Sequence, residues 1–340
     1  MSTFMRAVDV QGGAGGTDAL FINDKTPKPT AGPGQAVVQV KAFGLNRMDL
    51  IQREGRYPVP ARAPKTMGVE FSGVVESLGS DTDGTQLAVG DAVFGLCAGG
   101  AYAEYVLVAA RMLIRKPPYL TWVEAAGIPE TWLTSLQALH EVGGFRGDLG
   151  QTALFHAGAS GVSIAGIQLA RLAGASAVYA TAGSDAKCAF IVRELGAKAA
   201  FNYKAPENWA DRVLQATDQR GVDFIVDFVA ADYFQRNLDV AALDGHIVLL
   251  AALSGLILPA GVNIAGLLRK RLRLEGSSLR NREPDYQVRL RDRLEAVLPH
   301  FQSGELKLFT DKVFPWTQIR DAHEYMAKDV STGKIICTIP

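Results

Sequence analysis

The chain has 340 residues, with 35 Lys plus Arg against 35 Asp plus Glu, so no net field favours nucleic acid, acidic lipid or another polyanion as partner. Apolar residues make up 48% and charged residues 21%, enough hydrophobic surface to offset the ordering of the chain, which excludes disorder. The widely spaced Cys97, Cys188 and Cys337 fit neither a disulfide framework nor a Cys-x-x-Cys metal clip and point to a reducing compartment.

At about 150 residues per domain, two domains are expected. From Met5 to about Tyr119, short apolar runs such as AVVQVKAFGLN, FSGVVESLG, DAVFGL and AEYVLVA are broken by Gly, Pro and Asp. They predict the strands and turns of a β-rich domain. Gly79 and Gly90-Asp91 mark turns. The segment GGAYAEYVLV, residues 99 to 108, alternates small or polar with apolar groups and closes the β portion before Pro117-Pro118.

Near Thr121 the spacing becomes helical, with Thr121 as a cap, Pro129 as a breaker and Gly143-Gly144 as a stop, and a second domain begins. Strand-like TALFHAG, AVYATAG, KAAFNY, VDFIVDFV and HIVLLAAL then alternate with helices from about Gly161 to Ala173, Asp185 to Leu195 and around Trp209 to Gln215. This alternation predicts βαβ units and a parallel sheet covered on both faces. The basic run Arg269-Lys270-Arg271 with Arg273 reads as a solvated helix end before a strand. From about Pro284 come a helix (YQVRLRDRLEAVLPHF), strand-like KVFPW, the helix IRDAHEYMA and the apolar run KIICTIP. MSTFMRAVDVQGG lacks an apolar signal core, and no apolar stretch is long enough to span a bilayer, so a cytoplasmic protein with no membrane partner is expected.

The most informative stretch is TALFHAGASGVSIAGIQLARLAGA, where a strand runs into a small-residue turn and then a helix, as a dinucleotide fingerprint requires. Gly158 and Gly161 permit close approach of backbone to a pyrophosphate, which the helix N-terminus attracts. The third small position holds Ser163 rather than Gly. An NAD-binding strand usually ends in Asp or Glu for the ribose 2′-hydroxyl; here the strand ends Ala182-Gly183-Ser184, with Lys187 following. A hydroxyl and an ammonium suit a 2′-phosphate, which favours NADPH; alternatively, Ser184 or Asp185 merely caps the helix and Lys187 is solvated.

The segments GLNRMDLIQREGRYPVP, MGVEFSGVVESLG, AAGIPETWLTSLQAL, HAGASGVSIAGIQLAR, TAGSDAK, FNYK, LDGHIVLLA and HEYMAKDVSTGKI resemble, over nearly the whole chain, the zinc-independent, zeta-crystallin-like quinone oxidoreductase branch of the medium-chain dehydrogenase/reductase superfamily. The resemblance implies an α/β fold: a Rossmann-type doubly wound parallel sheet over 125–280, inserted in a β-rich GroES-like catalytic domain over 1–124 to which 281–340 returns. It implies that Asn46 and Thr134 face the nicotinamide and its ribose, that Gly161 and Val162 meet the pyrophosphate, and that Gly183, Ser184, Lys187 and Tyr203 meet the adenosine phosphate. Ala251, Leu253 and Ser254 match positions beside the nicotinamide, Gly333 and Lys334 a closing wall, and Tyr57 and Ser160 the active-site cleft. Asn46 and Val69 stand where zinc-dependent relatives carry cysteine and histidine, so no metal is expected; Asp49 and Glu70 are read as salt-bridging or capping acids rather than ligands. The segment Arg271–Ser278 resembles an edge strand that pairs with a second copy, predicting a homodimer.

The implied activity is NADPH-dependent reduction of a small quinone, with Tyr57 as hydrogen-bond or proton donor, Asn46 as orienting amide and Ser160 beside them. The competing readings are reduction of an enone or alkenal double bond, and a non-enzymatic structural or RNA-binding role. Tyr57 could instead only pack the GRYP turn, and Tyr203 could be a half-buried strand-end tyrosine.

Overall fold

The computed structural model describes residues 3–340. The chain divides into two compact units, Met1–Leu133 with Arg280–Pro340, and Thr134–Leu279. In chain order the strands are β1 (Phe4–Val10), β2 (Leu20–Pro27), β3 (Gln35–Gly44), β4 (Glu70–Leu78), β5 (Ala92–Leu96), β6 (Tyr105–Ala109), β7 (Leu113–Arg115), β8 (Thr152–Phe155), β9 (Ala177–Ala182), β10 (Ala199–Asn202), β11 (Val222–Asp227), β12 (Ala241–Leu249), β13 (Arg273–Gly276), β14 (Thr310–Pro315) and β15 (Lys334–Thr338). The α-helices are α1 (Arg47–Arg53), α2 (Trp122–Ala126), α3 (Pro129–Leu136), α4 (Gly161–Leu172), α5 (Asp185–Leu195), α6 (Trp209–Ala216), α7 (Phe234–Val240), α8 (Ala265–Arg269), α9 (Pro284–Gln302) and α10 (Ile319–Ala327).

In the first unit, the main sheet runs β14-β15-β3-β4-β5-β7, with β6 pairing with β3, and β1 and β2 form a separate antiparallel pair. Of the strand-like run AEYVLVA, β6 takes only the part from Tyr105, and Ala103 meets Ala7 in a single bridge. Two consecutive glycines, Gly99 and Gly100, precede it, and Gly100 has a φ of 94°, outside any strand conformation. Thr121 caps α2, its hydroxyl accepting from the Glu124 N–H while the Glu124 carboxylate accepts from the Thr121 N–H. Pro129 separates α2 from α3 and supplies the first residue of α3, where its missing N–H costs nothing. α9 buries Leu290, Leu294, Leu298 and Phe301, one helical stripe, and Phe301 meets the Trp132 ring edge-on at 4.5 Å.

In the second unit, the sheet order is β10-β9-β8-β11-β12-β13, and every neighbouring pair is parallel. This is the doubly wound order whose direction reverses between β8 and β11, where such folds place ligands beyond the strand ends. The central β8 is buried along its whole length, as both-face coverage requires. Leu154, Tyr179, Phe201, Trp209, Val213 and Ile225 share one core cluster, each large apolar side chain contributing about 1.5–3 kcal/mol by leaving water. The basic run is only partly solvated: the Lys270 ammonium donates to the carbonyls of Leu238 (3.0 Å), Asp239 (2.6 Å) and Ala241 (2.9 Å), closing the C-terminus of α7. Arg271 pairs with Asp244.

Candidate functional site

In the second unit the fingerprint turn is built on a buried histidine. His156, just after β8, is neutral because burial lowers its pKa. Its Nε2–H donates to Asn237 Oδ1 (2.7 Å), Asn237 donates to Asp227 Oδ2 (2.9 Å), and Thr181 Oγ1 lies 2.9 Å from Nδ1. The ends of β8, β9 and β11 are thereby tied together beneath the turn. Ser160 caps α4, its hydroxyl accepting from the Ser163 N–H (3.4 Å), which leaves the N–H groups of Gly161 and Val162 in the first turn, where a helix has no acceptor of its own.

Ser163 replaces the third glycine of the fingerprint for a visible reason. Its hydroxyl donates to the His156 carbonyl (2.7 Å), locking helix to strand. Close helix–strand approach is then supplied by Gly166, where a Cβ would run into the Phe155 ring. Thr134 Oγ1 is buried with no hydrogen-bond partner among the described residues, and the adjacent Ser135 hydroxyl donates to the Val162 carbonyl (2.7 Å), bringing the end of α3 beside the start of α4.

At the start of α5, Gly183, Ser184, Lys187 and Tyr203 come together. The Tyr203 hydroxyl lies 2.7 Å from where a Gly183 Cβ would stand, and Ser184 caps the helix by accepting from the Lys187 N–H (3.3 Å), leaving its own O–H to donate. Asp185 is turned to Asn202, whose amide donates to it at 2.9 Å. Ala251, Leu253 and Ser254 lie beyond β12; the Ser254 hydroxyl donates to the Val229 carbonyl (2.7 Å) and accepts from the Asp232 N–H (2.9 Å), joining the loops that follow β11 and β12. An unsatisfied buried hydroxyl, a helix N-terminus and a glycine cradle under a tyrosine fit a dinucleotide phosphate ester.

The first unit carries Asn46, Tyr57, Gly333 and Lys334. Asn46 precedes α1; the Asp49 carboxylate accepts from its backbone N–H (2.8 Å) and from the Tyr102 hydroxyl (2.8 Å), and burial raises Asp49 to a pKa of about 6. The Lys334 ammonium donates to the Leu45 carbonyl (2.7 Å), Asn46 Oδ1 (2.9 Å) and Glu70 Oε1 (2.5 Å), so each of its three hydrogens has an acceptor. Asn46 Nδ2 donates to the same Glu70 oxygen (2.9 Å), so both ends of the amide are held. Gly333 has a φ of 100° and lies so close to the Phe309 carbonyl that no Cβ fits, and this turn delivers Lys334 to the cluster.

These residues do not fit a zinc ion. An amide and the buried Val69 offer neither thiolate nor imidazole, and an ammonium takes the acceptor oxygens of Asn46 and Glu70. Among the described residues no three His, Cys, Asp or Glu side chains are grouped to hold a metal, and the three cysteines are free and apart.

Sequence reasoning missed two members of this cluster. Arg280 is 4% exposed; it donates to the Ala98 carbonyl (3.0 and 2.8 Å) and to Gln52 Oε1 (2.8 Å), and its guanidinium carbon lies 5.3 Å from the centre of the Tyr57 ring. Glu130, the second residue of α3, donates its backbone N–H to Glu70 Oε2 (2.9 Å). Burial, and next the Glu70 charge, raise the Glu130 carboxyl to about 8. Burial, and next the charge of Glu130, raise the pKa of Tyr57, so the phenol holds its proton at neutral pH. An acid inside the apolar run AAGIPETWL was a usable signal for Glu130. Nothing local marks Arg280.

Comparison with known proteins places this geometry. Residues 161–296 match the family model described as zinc-binding dehydrogenase, and residues 32–118 match the alcohol dehydrogenase GroES-like domain. A quinone oxidoreductase of Pseudomonas aeruginosa is 30% identical over 323 residues, covering 95% of this chain and 96% of that protein. A phenolphthiocerol/phthiocerol polyketide synthase of Mycobacterium tuberculosis is 30% identical over 332 residues, 96% of this chain, but the chain spans only 14% of that protein's length. Among solved structures, mycobacterial Rv1454c complexed with NADPH and a Pseudomonas syringae quinone oxidoreductase are each 28% identical, with TM-scores of 0.84 and 0.82, over 98% of this chain and 100% of each of theirs. The CurK enoyl reductase is 25% identical, with a TM-score of 0.82 over 99% of both chains. Among the described residues no helix is long and apolar enough to cross a membrane.

Proposed function

Because the chain belongs to the quinone oxidoreductase family of medium-chain dehydrogenases/reductases, we propose that it reduces small quinones with NADPH, without zinc. One observation carries the reading: the polar cluster around Asn46 and Glu70 is completed by an ammonium, so the first unit offers a held phenol and an oriented amide instead of a Lewis acid. Alcohol oxidation would need a base to take the hydroxyl proton and a Lewis acid or its equivalent on the oxygen, whereas reduction needs alignment and donors for the developing oxyanion. NADPH, when bound, supplies a hydride. Ser160, Gly161 and Val162 would hold its pyrophosphate at the α4 N-terminus, Gly183, Ser184, Lys187 and Tyr203 its 2′-phosphate, and Thr134, Ala251, Leu253 and Ser254 its nicotinamide half. Asn46 would orient the carboxamide or the acceptor oxygen with the amide hydrogen that Glu70 does not take, Gly333 and Lys334 would keep Asn46 in place, and Tyr57 would donate a proton to the reduced acceptor.

Cofactor choice has a direct test. Lys187→Ala should raise KM for NADPH by about tenfold to a hundredfold, the equivalent of a lost charge-assisted hydrogen bond, while KM for NADH stays within twofold or so. Equal losses with both cofactors would make Lys187 a structural residue.

A second acceptor class, enones or alkenals, is supported by the likeness to an enoyl reductase and to part of a polyketide synthase, and uses the same hydride and proton. Comparing kcat/KM for a benzoquinone and a cyclic enone ranks the two; a higher value with the quinone is the expected result.

The same reading includes a cytoplasmic homodimer. β13 is the edge of its sheet and exposed along its length, and Leu256, Ile257, Ile264 and Leu268 expose large apolar side chains on the segment before it. Leu274→Pro should yield monomer or aggregate in light scattering, since the edge loses a donor. A wild-type chain that is monomeric at micromolar concentration contradicts the assignment.

A further inference from the structure

Resting on the reading that the second unit holds NADPH, we infer that Asn237, acting through Asp227 and His156, is the positioning residue that joins the two halves of the cofactor site and sets both before NADPH arrives. Two backbone positions call for such a device. Ala157, in the turn between β8 and α4, has a φ of 48°, and Ala230, in the loop after β11, has a φ of 68°. A residue with a Cβ resists this left-handed conformation, so each turn needs outside support to stay in it. The two follow neighbouring strands, at the point where the sheet order reverses.

One buried network holds both turns. The Asp227 carboxyl accepts from the backbone N–H groups of Val229 (2.7 Å) and Ala230 (3.2 Å), and its Oδ2 also accepts from Asn237 Nδ2 (2.9 Å). That last contact fixes the Asn237 amide with its oxygen toward His156 Nε2 (2.7 Å), so the ring carries its hydrogen there and the bare Nδ1 accepts from the Thr181 hydroxyl (2.9 Å). The Trp209 and Tyr233 rings stand edge-on to the imidazole, at 4.9 and 4.8 Å between centres, and keep its plane. Around Ala157, the His156 carbonyl accepts from the Ser163 hydroxyl (2.7 Å), the Ala157 carbonyl from the Ser160 N–H (2.8 Å), and the Thr181 carbonyl from the Gly158 N–H (2.7 Å). His156, Thr181, Asp227 and Asn237 are each at most 2% exposed, so water cannot replace a lost partner.

The network reaches the cofactor site from two sides. Ser160, Gly161 and Val162, at the α4 N-terminus, follow Ala157 within five residues. On the other side, the Phe228 carbonyl accepts from the Leu253 N–H (3.0 Å), and the Val229 carbonyl accepts from the Ser254 N–H (3.0 Å) and hydroxyl (2.7 Å). A shift of the loop after β11 therefore carries Leu253 and Ser254 with it, and a shift of His156 carries the pyrophosphate turn. Asn237, on α7, is the link between them, because its side-chain hydrogen bonds go to Asp227 and His156. With the link intact, both turns are set when the dinucleotide binds. Without it, affinity falls in proportion to the fraction of molecules that still hold both.

The test uses the intact protein as wild type, Asn237→Leu, His156→Gln, and Asn237→Leu combined with Ala230→Gly. Dissociation constants are measured for NADPH and NADH by nicotinamide fluorescence, and for adenosine 2′-monophosphate by calorimetry, since that fragment carries only the part assigned to Gly183, Ser184, Lys187 and Tyr203. The Leu variant should bind NADPH and NADH more weakly by the same factor, about tenfold if about one molecule in ten keeps both turns, while its affinity for the fragment is unchanged. The Gln variant, whose amide still donates to Asn237, should keep close to wild-type affinity for both dinucleotides. Adding Ala230→Gly should recover part of the loss, because glycine takes the left-handed conformation unaided. Asn237→Ser is read in the same way if the Leu variant does not fold. A variant at Asn237 that binds NADPH as wild type does overturns the proposal, and so does one that loses NADPH and the fragment by the same factor, since Asn237 then only supports the fold. A wild type that binds neither NADPH nor NADH overturns the parent reading, and the proposal with it.

Discussion

Tyr57→Phe should lower kcat by about a hundredfold, within the usual range for removing a positioned general acid, while the dissociation constant for NADPH stays unchanged. The replacement keeps the aromatic ring that lies over the Arg280 guanidinium, 5.3 Å from ring centre to cation, so the packing of the loop survives and only the hydroxyl is lost. The loss should be larger with an enone than with a quinone. A hydroquinone anion is a weak base that can leave and find its proton in water, whereas an enolate must be protonated at carbon before the product is complete. Cofactor binding followed by nicotinamide fluorescence separates this chemistry from misfolding. A variant with wild-type kcat for both acceptors would show that Tyr57 only packs the turn.

Lys334→Met should destabilise the protein by about 3–5 kcal/mol, the range for removing one partner of a buried ion pair. Lys334 is 8% exposed and Glu70 0%, and their contact is 2.5 Å, so the replacement leaves a carboxylate in the core with only Asn46 and the Glu130 N–H to satisfy it. Asn46 loses a partner as well, and its amide becomes free to turn, so kcat should fall further than stability alone accounts for. Urea unfolding checks the first part. The double replacement Lys334→Met with Glu70→Leu should recover much of the loss, because no unpaired charge is then buried. A single variant within about 1 kcal/mol of wild type would show that water reaches the pair and that the cluster is not a closed one.

The periodic elements were legible because local pattern and tertiary role agree in them. The helix expected from Asp185 to Leu195 is α5 to the residue, and IRDAHEYMA is α10. The strand–turn–helix at TALFHAGASG is readable for the same reason: its chemistry lies in adjacent residues. What stayed hidden depends on residues far apart in the chain. Gln52 and Arg280 are 228 positions apart and Glu70 and Lys334 are 264, so no window of sequence reveals that either pair meets. The apparent defect at Ser163 illustrates the same limit, since the close contact a glycine would give there is transferred to Gly166, three residues on and visible only against Phe155. The start of AEYVLVA failed in the other direction: its pattern suits a strand from Ala103, but Ala103 makes only a single bridge to Ala7 and the ladder begins at Tyr105.

On the proposed reading, NADPH reduces the acceptor in a site organised by an ammonium rather than a metal. The most direct test of that reading is NADPH oxidation with a benzoquinone by protein exhaustively treated with chelator, alongside elemental analysis of the same sample. The expected result is an undiminished rate in protein holding no stoichiometric zinc. A rate that vanishes on chelation and returns with zinc, or a protein that oxidises no NADPH before treatment, would contradict it.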